Sequence, residues 1–185
     1  MCKESLLQYL YWNYIPEPKT PYHNYYKLPS AHFFKYSLDT KEFNTYKYWD
    51  LPEYRPQISE FITAKSELKN LLIDSVKKRL ISDVPLGVFL SGGVDSSLVC
   101  AIAQSISDKK IKTFSIKFNE EGFDESEYAK AVAGYLNTDH KTIECSFTEG
   151  IDFIRNYHLY YDEPFADSSA IPSLLLSKYT KTDVS

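Results

Sequence analysis

The sequence contains no long apolar run, and its first residues do not resemble a secretory signal. No segment approaches the roughly 18 uninterrupted apolar residues that a membrane-spanning helix requires. The first dozen residues include an acid and lack both a long apolar stretch and a small-residue cleavage site. We therefore expect no membrane partner and a cytoplasmic location.

Cysteine is scarce, and the charges nearly balance. The three cysteines, Cys2, Cys100 and Cys145, are an odd number at wide spacings, which fits neither a disulfide framework nor paired metal ligands. Lys and Arg total 21 against 25 Asp and Glu, so the net charge is -4, and no Lys/Arg run is present. We expect reduced thiols and no nucleic-acid partner.

Aromatic residues and prolines are concentrated in the first 57 residues. The chain has 16 Tyr, 11 Phe and nine Pro, and six of those prolines precede residue 58. Aromatic residues without basic neighbours favour a packing surface over base stacking. We predict an N-terminal arm over residues 1–57, irregular because of its prolines, with a β-hairpin formed by His32–Tyr36 and Thr45–Trp49.

Residues 58–185 alternate between helical and strand patterns. The predicted order is a helix ending before Pro85, a buried strand at Val88–Leu90, a helix from about Ser96, a strand at Ile111–Phe118, a helix opened by an Asp124/Glu127 capping box, a strand at Asp139–Cys145, a helix capped by Thr148, and a helix from Ser169 to about Tyr179. This order indicates an α/β domain, a parallel sheet with helices on both faces. The chain ends where another strand would begin, so we expect a truncated domain.

A glycine-containing loop follows the first predicted strand. It consists of Ser91, Gly92, Gly93, Val94, Asp95, Ser96 and Ser97. Two glycines let the backbone turn sharply and approach a ligand, and the helix that follows directs its free amides at the same point. A carboxylate such as Asp95 among phosphate-binding amides is unfavourable unless a cation separates the charges. The pattern therefore favours ATP with magnesium.

Other interpretations of the loop are weaker. Ser-Gly-Gly could form a simple turn in which Asp95 only caps a helix, but its place between a buried strand and an amphipathic helix is typical of a nucleotide site. A Walker loop is excluded because the chain has no Gly-Lys-Ser/Thr at this point. The dinucleotide pattern is disfavoured because its third glycine is missing.

Leu90 and the loop that follows it resemble the pyrophosphate loop of the glutamine-dependent asparagine synthetase family and the related β-lactam synthetases. The similarity extends, in the family's order and spacing, to Pro85-Leu86-Gly87, Thr113-Phe114-Ser115-Ile116, Phe123-Asp124-Glu125-Ser126, His140 and Tyr161–Ser169. The Tyr- and Pro-rich arm is similar to the segment that joins the family's two halves. The resemblance implies a PP-loop synthetase domain with the adenine nucleotide alpha hydrolase-like (HUP-type) fold.

The resemblance also implies roles for residues. Leu90 and Ile116 correspond to adenosine contacts, Ser91–Ser97 to the pyrophosphate cradle, and Asp95 to a catalytic residue that binds magnesium. Asp162–Ser169 is expected to line the same cleft. The implied reaction is an ATP-dependent ligation in which aspartate forms β-aspartyl-AMP and ammonia from glutamine converts it to asparagine.

The sequence departs from the family by what it does not contain. No glutaminase sequence follows Met1-Cys2-Lys3, and the Gly-Asp-Gly-Gly-Asp-Glu motif that follows the family's next strand is missing. We therefore expect an incomplete fragment whose partner is a separate glutaminase or the remainder of a synthetase. Two alternatives stay open: a PP-loop amidotransferase with a different carboxylate acceptor, and a non-catalytic nucleotide-binding remnant.

Overall fold

A computed structural model describes residues 1–54, 60–118 and 124–184. These residues form two compact units, one of Met1–Gln57 with Tyr157–Asp167 and one of Ile58–Asn156 with Ser168–Ser185. The boundary predicted between residues 57 and 58 lies outside the described residues. None of the helices in the described ranges has the length and apolar character needed to cross a membrane.

The first unit begins with a helix that the sequence analysis missed. Helix α1 spans Lys3–Trp12 and ends at Asn13, whose φ of 64° takes the chain out of the helix. Every proline of the arm lies beyond this point, so nothing in residues 3–12 prevents the helical hydrogen-bond pattern. The prediction of an irregular arm was wrong for this segment.

A β-hairpin follows in the same unit. Strand β1 spans His32–Tyr36 and pairs antiparallel with β2, which spans Phe43–Lys47. The hairpin was predicted, but its second strand begins two residues earlier than expected. The amide of Ser37 donates to the carbonyl of Glu42 (3.0 Å), which closes the turn before Phe43. Stacked aromatic pairs stabilise the two strands: the ring centroids of Phe33 and Tyr46 are 5.2 Å apart, and those of Phe34 and Phe43 are 5.1 Å apart.

Residues 157–167 belong to the first unit, although the sequence analysis grouped them with residues 58–185. Tyr157–Leu159 forms a 3₁₀ turn. The ammonium of Lys27 pairs with the carboxylate of Glu163 and also donates to the carbonyl of Ile15 (2.7 Å). The amide of Ala166 donates to the carbonyl of Asn13 (2.8 Å). The distant segment is thus joined to the arm by main-chain and charged hydrogen bonds.

The second unit contains a three-stranded parallel sheet. Its strands are β3 (Gly87–Phe89), β4 (Lys112–Phe118) and β5 (Asp139–Cys145), in the spatial order β3-β4-β5. Its helices are α2 (Phe61–Arg79), α3 (Val94–Ser105), α4 (Ser126–Leu136), α5 (Phe147–Arg155) and α6 (Ala170–Thr180). Every strand and helix predicted for residues 58–185 is present.

Helices cover both faces of the sheet. On one face Leu90 packs with Cys100 of α3 and with Ala129 and Ala133 of α4. On the other face Phe114 and Ile143 pack with Leu176 of α6. Because side chains alternate along a strand, each strand supplies residues to both layers. The α/β prediction with helices on both faces is confirmed.

Two predicted helix caps were placed incorrectly. Ser146, not Thr148, caps α5: its hydroxyl accepts the amide of Glu149 (3.3 Å) and donates to that residue's carboxylate (2.9 Å). The N-cap of α4 is Glu125, and the Asp124 carboxylate accepts the amide of Ser126 (3.0 Å). Serine, threonine and aspartate are all good N-caps, and here such residues lie one or two positions apart. Which of them caps the helix therefore depends on the path of the chain from the preceding element.

Phe114 lies in the core between the sheet and α6, with Ile143 and Leu176, and is 2% exposed. We predict that Phe114→Ala lowers the free energy of unfolding by about 3–5 kcal/mol, because it removes a ring and leaves a cavity between β4 and α6. Phe61→Ala is the matched control, since Phe61 in α2 is 79% exposed and should change stability by less than about 0.5 kcal/mol. Chemical denaturation of both variants measures the difference, and similar losses would contradict the core assignment.

Candidate nucleotide-binding site

The candidate site lies at the end of β3, which is shorter than the neighbouring strand β4. Strand β3 pairs with β4 only as far as Phe89 opposite Phe114, whereas β4 stays paired with β5 up to Phe118 opposite Cys145. The amide of Leu90 makes one more bond, to the carbonyl of Phe114 (2.8 Å), and the chain then leaves the sheet. Among the described strands, none covers the edge of β4 beyond that bond. A crevice therefore opens at the carboxyl end of the sheet.

Gly92 allows the loop to turn and to lie against α4. Its φ of 86° is in the left-handed region, which L side chains rarely adopt. A Cβ atom at this position would lie 2.7 Å from Cβ of Tyr128 and 2.8 Å from the amide nitrogen of Ala129. Gly93 is extended and forms the N-cap of α3. Only glycine fits position 92, because both the backbone angle and the helix behind it exclude a side chain.

Serine hydroxyls fill the inside of the loop. The amide of Ser91 donates to the hydroxyl of Ser96 (3.2 Å), the amide of Gly93 donates to the hydroxyl of Ser91 (3.3 Å), and the two hydroxyls are 2.9 Å apart. These oxygens accept hydrogen bonds from loop amides, as the oxygens of a bound anion would. A ligand could replace them by rotation of two short side chains.

Several donors at the loop have no partner within the described part of the chain. The amides of Val94, Asp95 and Ser96 begin α3, and none of them donates a hydrogen bond to another described residue. The hydroxyl of Ser97 is buried and has no partner among the described residues. An unsatisfied buried hydroxyl at a helix N-terminus fits a site that an anionic ligand completes.

A pocket of about 270 Å³ lies beside the loop. Its walls are Phe89, Leu90, Ser91, Ser96, Ser115, Ile116, Glu125 and Leu176. Four of the predicted site residues line it, namely Leu90, Ser91, Ser96 and Ile116. Glu125 and Leu176 were missed: Glu125, the N-cap of α4, lies in a stretch that resembles the family but was given no role, and Leu176 of α6 is marked by no local motif. Phe89 and Ser115 were missed although they adjoin predicted residues.

The remaining predicted residues do not line this pocket. Gly92 and Gly93 form the loop itself, and Ser97 lies in the first turn of α3. Val94 is 83% exposed, and Asp95 is exposed beside it. In the part of the chain that is described, no group of three or more His, Cys, Asp or Glu side chains could hold a metal ion. The magnesium and catalytic roles of Asp95 stay predictions.

The segment Asp162–Ser169 divides between the two units. Residues 162–167 belong to the first unit, where Glu163 pairs with Lys27, and Ser168 and Ser169 precede α6 in the second. Its predicted contribution to the cleft stays a prediction.

Comparison with known proteins assigns the chain to a family. Residues 67–185, which include α3, the loop and all three strands of the parallel sheet, match the family model described as asparagine synthase. This chain belongs to the asparagine synthase family. The resemblance drawn from the loop is thereby confirmed.

Curated members of the asparagine synthase family are similar along almost the whole chain. A putative glutamine-hydrolysing asparagine synthetase 2 of Methanocaldococcus jannaschii is 38% identical over 97% of this chain and 35% of its own length. The glutamine-hydrolysing asparagine synthetase 1 of Bacillus subtilis is 32% identical over 98% of this chain and 28% of its own length. The chain therefore spans about a third of the length of these relatives.

Among solved structures, the similarity is looser. A glutamine-dependent NAD⁺ synthetase from Acinetobacter baumannii, in complex with ADP, has a TM-score of 0.44 and 22% identity, covering 80% of this chain and 28% of that chain. Membership of the asparagine synthase family rests on the sequence match.

The geometry at Gly92 leads to a stability prediction. Gly92→Ala should cost about 1–3 kcal/mol for the left-handed backbone alone, and more for the clash with α4. Gly134→Ala is the matched control, because a Cβ there meets nothing within 4 Å and replaces a helical glycine, which should stabilise by about 0.5–1 kcal/mol. Thermal unfolding of both variants tests this. A neutral Gly92→Ala would show that the loop does not lie against α4.

Proposed function

We propose that this chain is the nucleotide-binding part of an ATP-dependent amide-forming ligase, which converts aspartate to asparagine through β-aspartyl-AMP with ammonia from glutamine. One observation carries the proposal: the glycine loop, with its free amides and buried Ser97 hydroxyl, opens beside a pocket walled by Leu90 and Ile116. That combination suits a ligand with an anionic end and a flat, largely apolar end.

The loop is suited to bind the phosphates. The amides of Val94, Asp95 and Ser96 are unpaired within the described residues and lie at the positive end of the 12-residue helix α3. A phosphate there gains hydrogen bonds and a dipole contribution of about 0.3–1 kcal/mol at exposed sites. Charge increases on the pyrophosphate as it leaves, so donors fixed at this position stabilise the transition state more than the ground state.

The exposed edge of β4 is suited to bind adenine. The carbonyl of Phe114 faces β3, where it accepts the amide of Leu90. Backbone groups alternate along a strand, so the N–H and C=O of Ile116 face the same side, beyond the end of β3. A C=O beside an N–H complements the adenine edge, which presents an amino donor and a ring-nitrogen acceptor. Leu90 and Ile116 then supply apolar contact with the base.

Asp95 is the residue of the loop that would hold a magnesium ion. The exposed Asp95 carboxylate lies in the first turn of α3, so bound phosphates would repel it without a cation between them. Because the described residues offer no ready group of three ligands, most of the ion's oxygen ligands would be phosphate oxygens and water, as is usual for magnesium. The ion would supply neutralisation of negative charge on the leaving pyrophosphate.

The relatives favour aspartate as the acceptor. The M. jannaschii and B. subtilis proteins are both named glutamine-hydrolysing asparagine synthetases. We infer the same carboxylate and the same nitrogen source here, with ammonia delivered by a glutaminase on another polypeptide or another part of a synthetase. In this proposal Asp95 is the catalytic residue, because its carboxylate would hold the magnesium ion that neutralises the reacting phosphates.

The role of Asp95 leads to a binding prediction. Asp95→Asn should weaken ATP binding in magnesium by about tenfold, the equivalent of one lost charged contact of about 1.4 kcal/mol. Binding measured in EDTA should change less or improve, since the repulsion between carboxylate and phosphate disappears. Asp108→Asn is the control, because it removes the same charge from an exposed position beyond the other end of α3. Isothermal titration that gives equal affinities for Asp95→Asn and wild type in magnesium would exclude the metal-ligand role.

Recognition of adenine by Ile116 leads to a second prediction. ITP carries a carbonyl acceptor and a ring N–H where ATP carries an amino donor and a ring acceptor. The C=O of Ile116 would then face a carbonyl, and its N–H would face another N–H, so neither hydrogen bond could form. We expect ITP to bind about 10–100-fold more weakly than ATP, since each unsatisfied group costs about 1–3 kcal/mol. Competition between the two nucleotides measures this ratio. Equal affinity would place the base elsewhere.

A further inference from the structure

A layer of hydroxyl groups surrounds one imidazole between β4 and β5. The Nδ1 atom of His140 lies 2.9 Å from the hydroxyl of Thr113, which in turn lies 2.8 Å from the hydroxyl of Thr138. The Nε2 atom lies 3.2 Å from the hydroxyl of Ser115 and 3.4 Å from that of Thr142. Both ring nitrogens are therefore engaged, and all four hydroxyls belong to one network.

This network reaches the nucleotide pocket through Ser115. Ser115 lines the pocket, is 3% exposed, and precedes Ile116. At Ser115 and beyond, β4 is no longer paired with β3 and is paired only with β5 among the described strands. The bonds from Ser115 to His140 and Thr142 (3.3 Å) add a side-chain connection across β4 and β5 at that place.

The surroundings of His140 favour its neutral form. Burial lowers the pKa of the imidazole, and the positive charge of Lys130 on α4 lowers the pKa further, while a hydrogen bond with the Thr113 backbone opposes both. The carboxylates of Glu127 on α4 and Glu144 on β5 are already paired, Glu127 with Lys130 (2.7 Å) and Glu144 with Lys117 (3.5 Å). Asp124, before α4, accepts the amide of Ser126. No described carboxylate forms a salt bridge with an imidazolium here.

We propose that His140 is a positioning residue for the nucleotide pocket: its neutral imidazole holds Ser115, and through Ser115 the end of β4 that faces the base. This role rests on the proposed nucleotide function. The neutral ring has one N–H and one acceptor nitrogen, so it can accept a hydrogen bond from a hydroxyl on one side and donate one to a hydroxyl on the other.

Protonation would change this arrangement in a defined direction. An imidazolium donates from both nitrogens, so any hydroxyl that points at the ring must turn away, and a positive charge without a carboxylate partner lies beneath the pocket. The ordered layer therefore disfavours the charged ring. A ligand that requires the ordered end of β4 binds the neutral form better, and its affinity falls as the pH decreases through the imidazole pKa.

Adenosine is the probe for this coupling, because it fills the base pocket and has no group that titrates between about pH 5.5 and 8, where imidazoles do. We expect its affinity for the full chain to fall about fivefold across that range, and bound adenosine to lower the pKa of His140 by the logarithm of the same factor. Proton NMR of the four histidines follows both effects, with the His140 signal assigned from its loss in His140→Gln.

Two variants separate positioning from a purely structural role. His140→Gln stays neutral at every pH and keeps a hydrogen-bonding side chain, so it should bind adenosine with no pH dependence. Ser115→Ala removes the connection to the pocket, so adenosine should no longer shift the His140 pKa. His158→Gln is the control, because that imidazole is exposed in the first unit and should preserve the wild-type profile.

The outcomes separate this role from the function on which it rests. If neither ATP with magnesium nor adenosine binds the wild type at any pH, the proposed function and the positioning role both fall. If ATP binds but the His140 pKa is the same with and without adenosine, the positioning role alone is overturned. If His140→Gln does not fold, the His140 signal is assigned by elimination, from the signals that are lost in His23→Gln, His32→Gln and His158→Gln, so the comparison still decides the question.

Discussion

The early end of β3 is the constraint on which the rest of the candidate site depends. A central strand of a parallel sheet normally has both edges occupied, because unpaired backbone groups are costly to bury. Here β4 continues past its neighbour, and the backbone groups of Ile116 face a pocket on that side. A strand whose neighbour ends first offers a ligand hydrogen bonds that no side chain has to supply.

The loop exploits the same departure of the chain from the sheet. After Leu90 the backbone turns at Gly92, rests against α4 and enters α3 at Gly93. The turn directs the start of α3 towards the pocket, and the absent Cβ lets α4 support the loop from behind. The hydroxyls of Ser91 and Ser96 accept hydrogen bonds from loop amides. The oxygens of a bound anion could accept the same hydrogen bonds in their place.

Polar groups beneath the pocket show how support for the site extends into the sheet. His140 and the three hydroxyls that contact it lie on the face of β4 and β5 that α4 covers, where apolar side chains would need no hydrogen-bond partners. A fully hydrogen-bonded layer restricts the geometry of the strands more than apolar packing does, because each bond has a direction. This suits a strand end that lacks one neighbour.

The sequence by itself determined the alternation of helices and strands after residue 58, the buried strand before the glycines, the loop and the hairpin. These features depend on local rules: the periodicity of apolar residues, the backbone freedom of glycine and the geometry of proline. The same rules missed α1, because the prolines that suggested an irregular arm all lie beyond it, and they assigned the cap of α5 to Thr148 instead of Ser146.

Only the tertiary structure decided which elements meet. The order β3-β4-β5, the presence of Glu125 and Leu176 in the pocket, and the place of residues 157–167 beside the arm all join residues far apart in the chain. Such contacts depend on which apolar faces and unpaired polar groups find a partner once the chain has collapsed, and no local pattern records that choice. The sequence marked the phosphate loop, whereas packing across the sheet formed the pocket beside it.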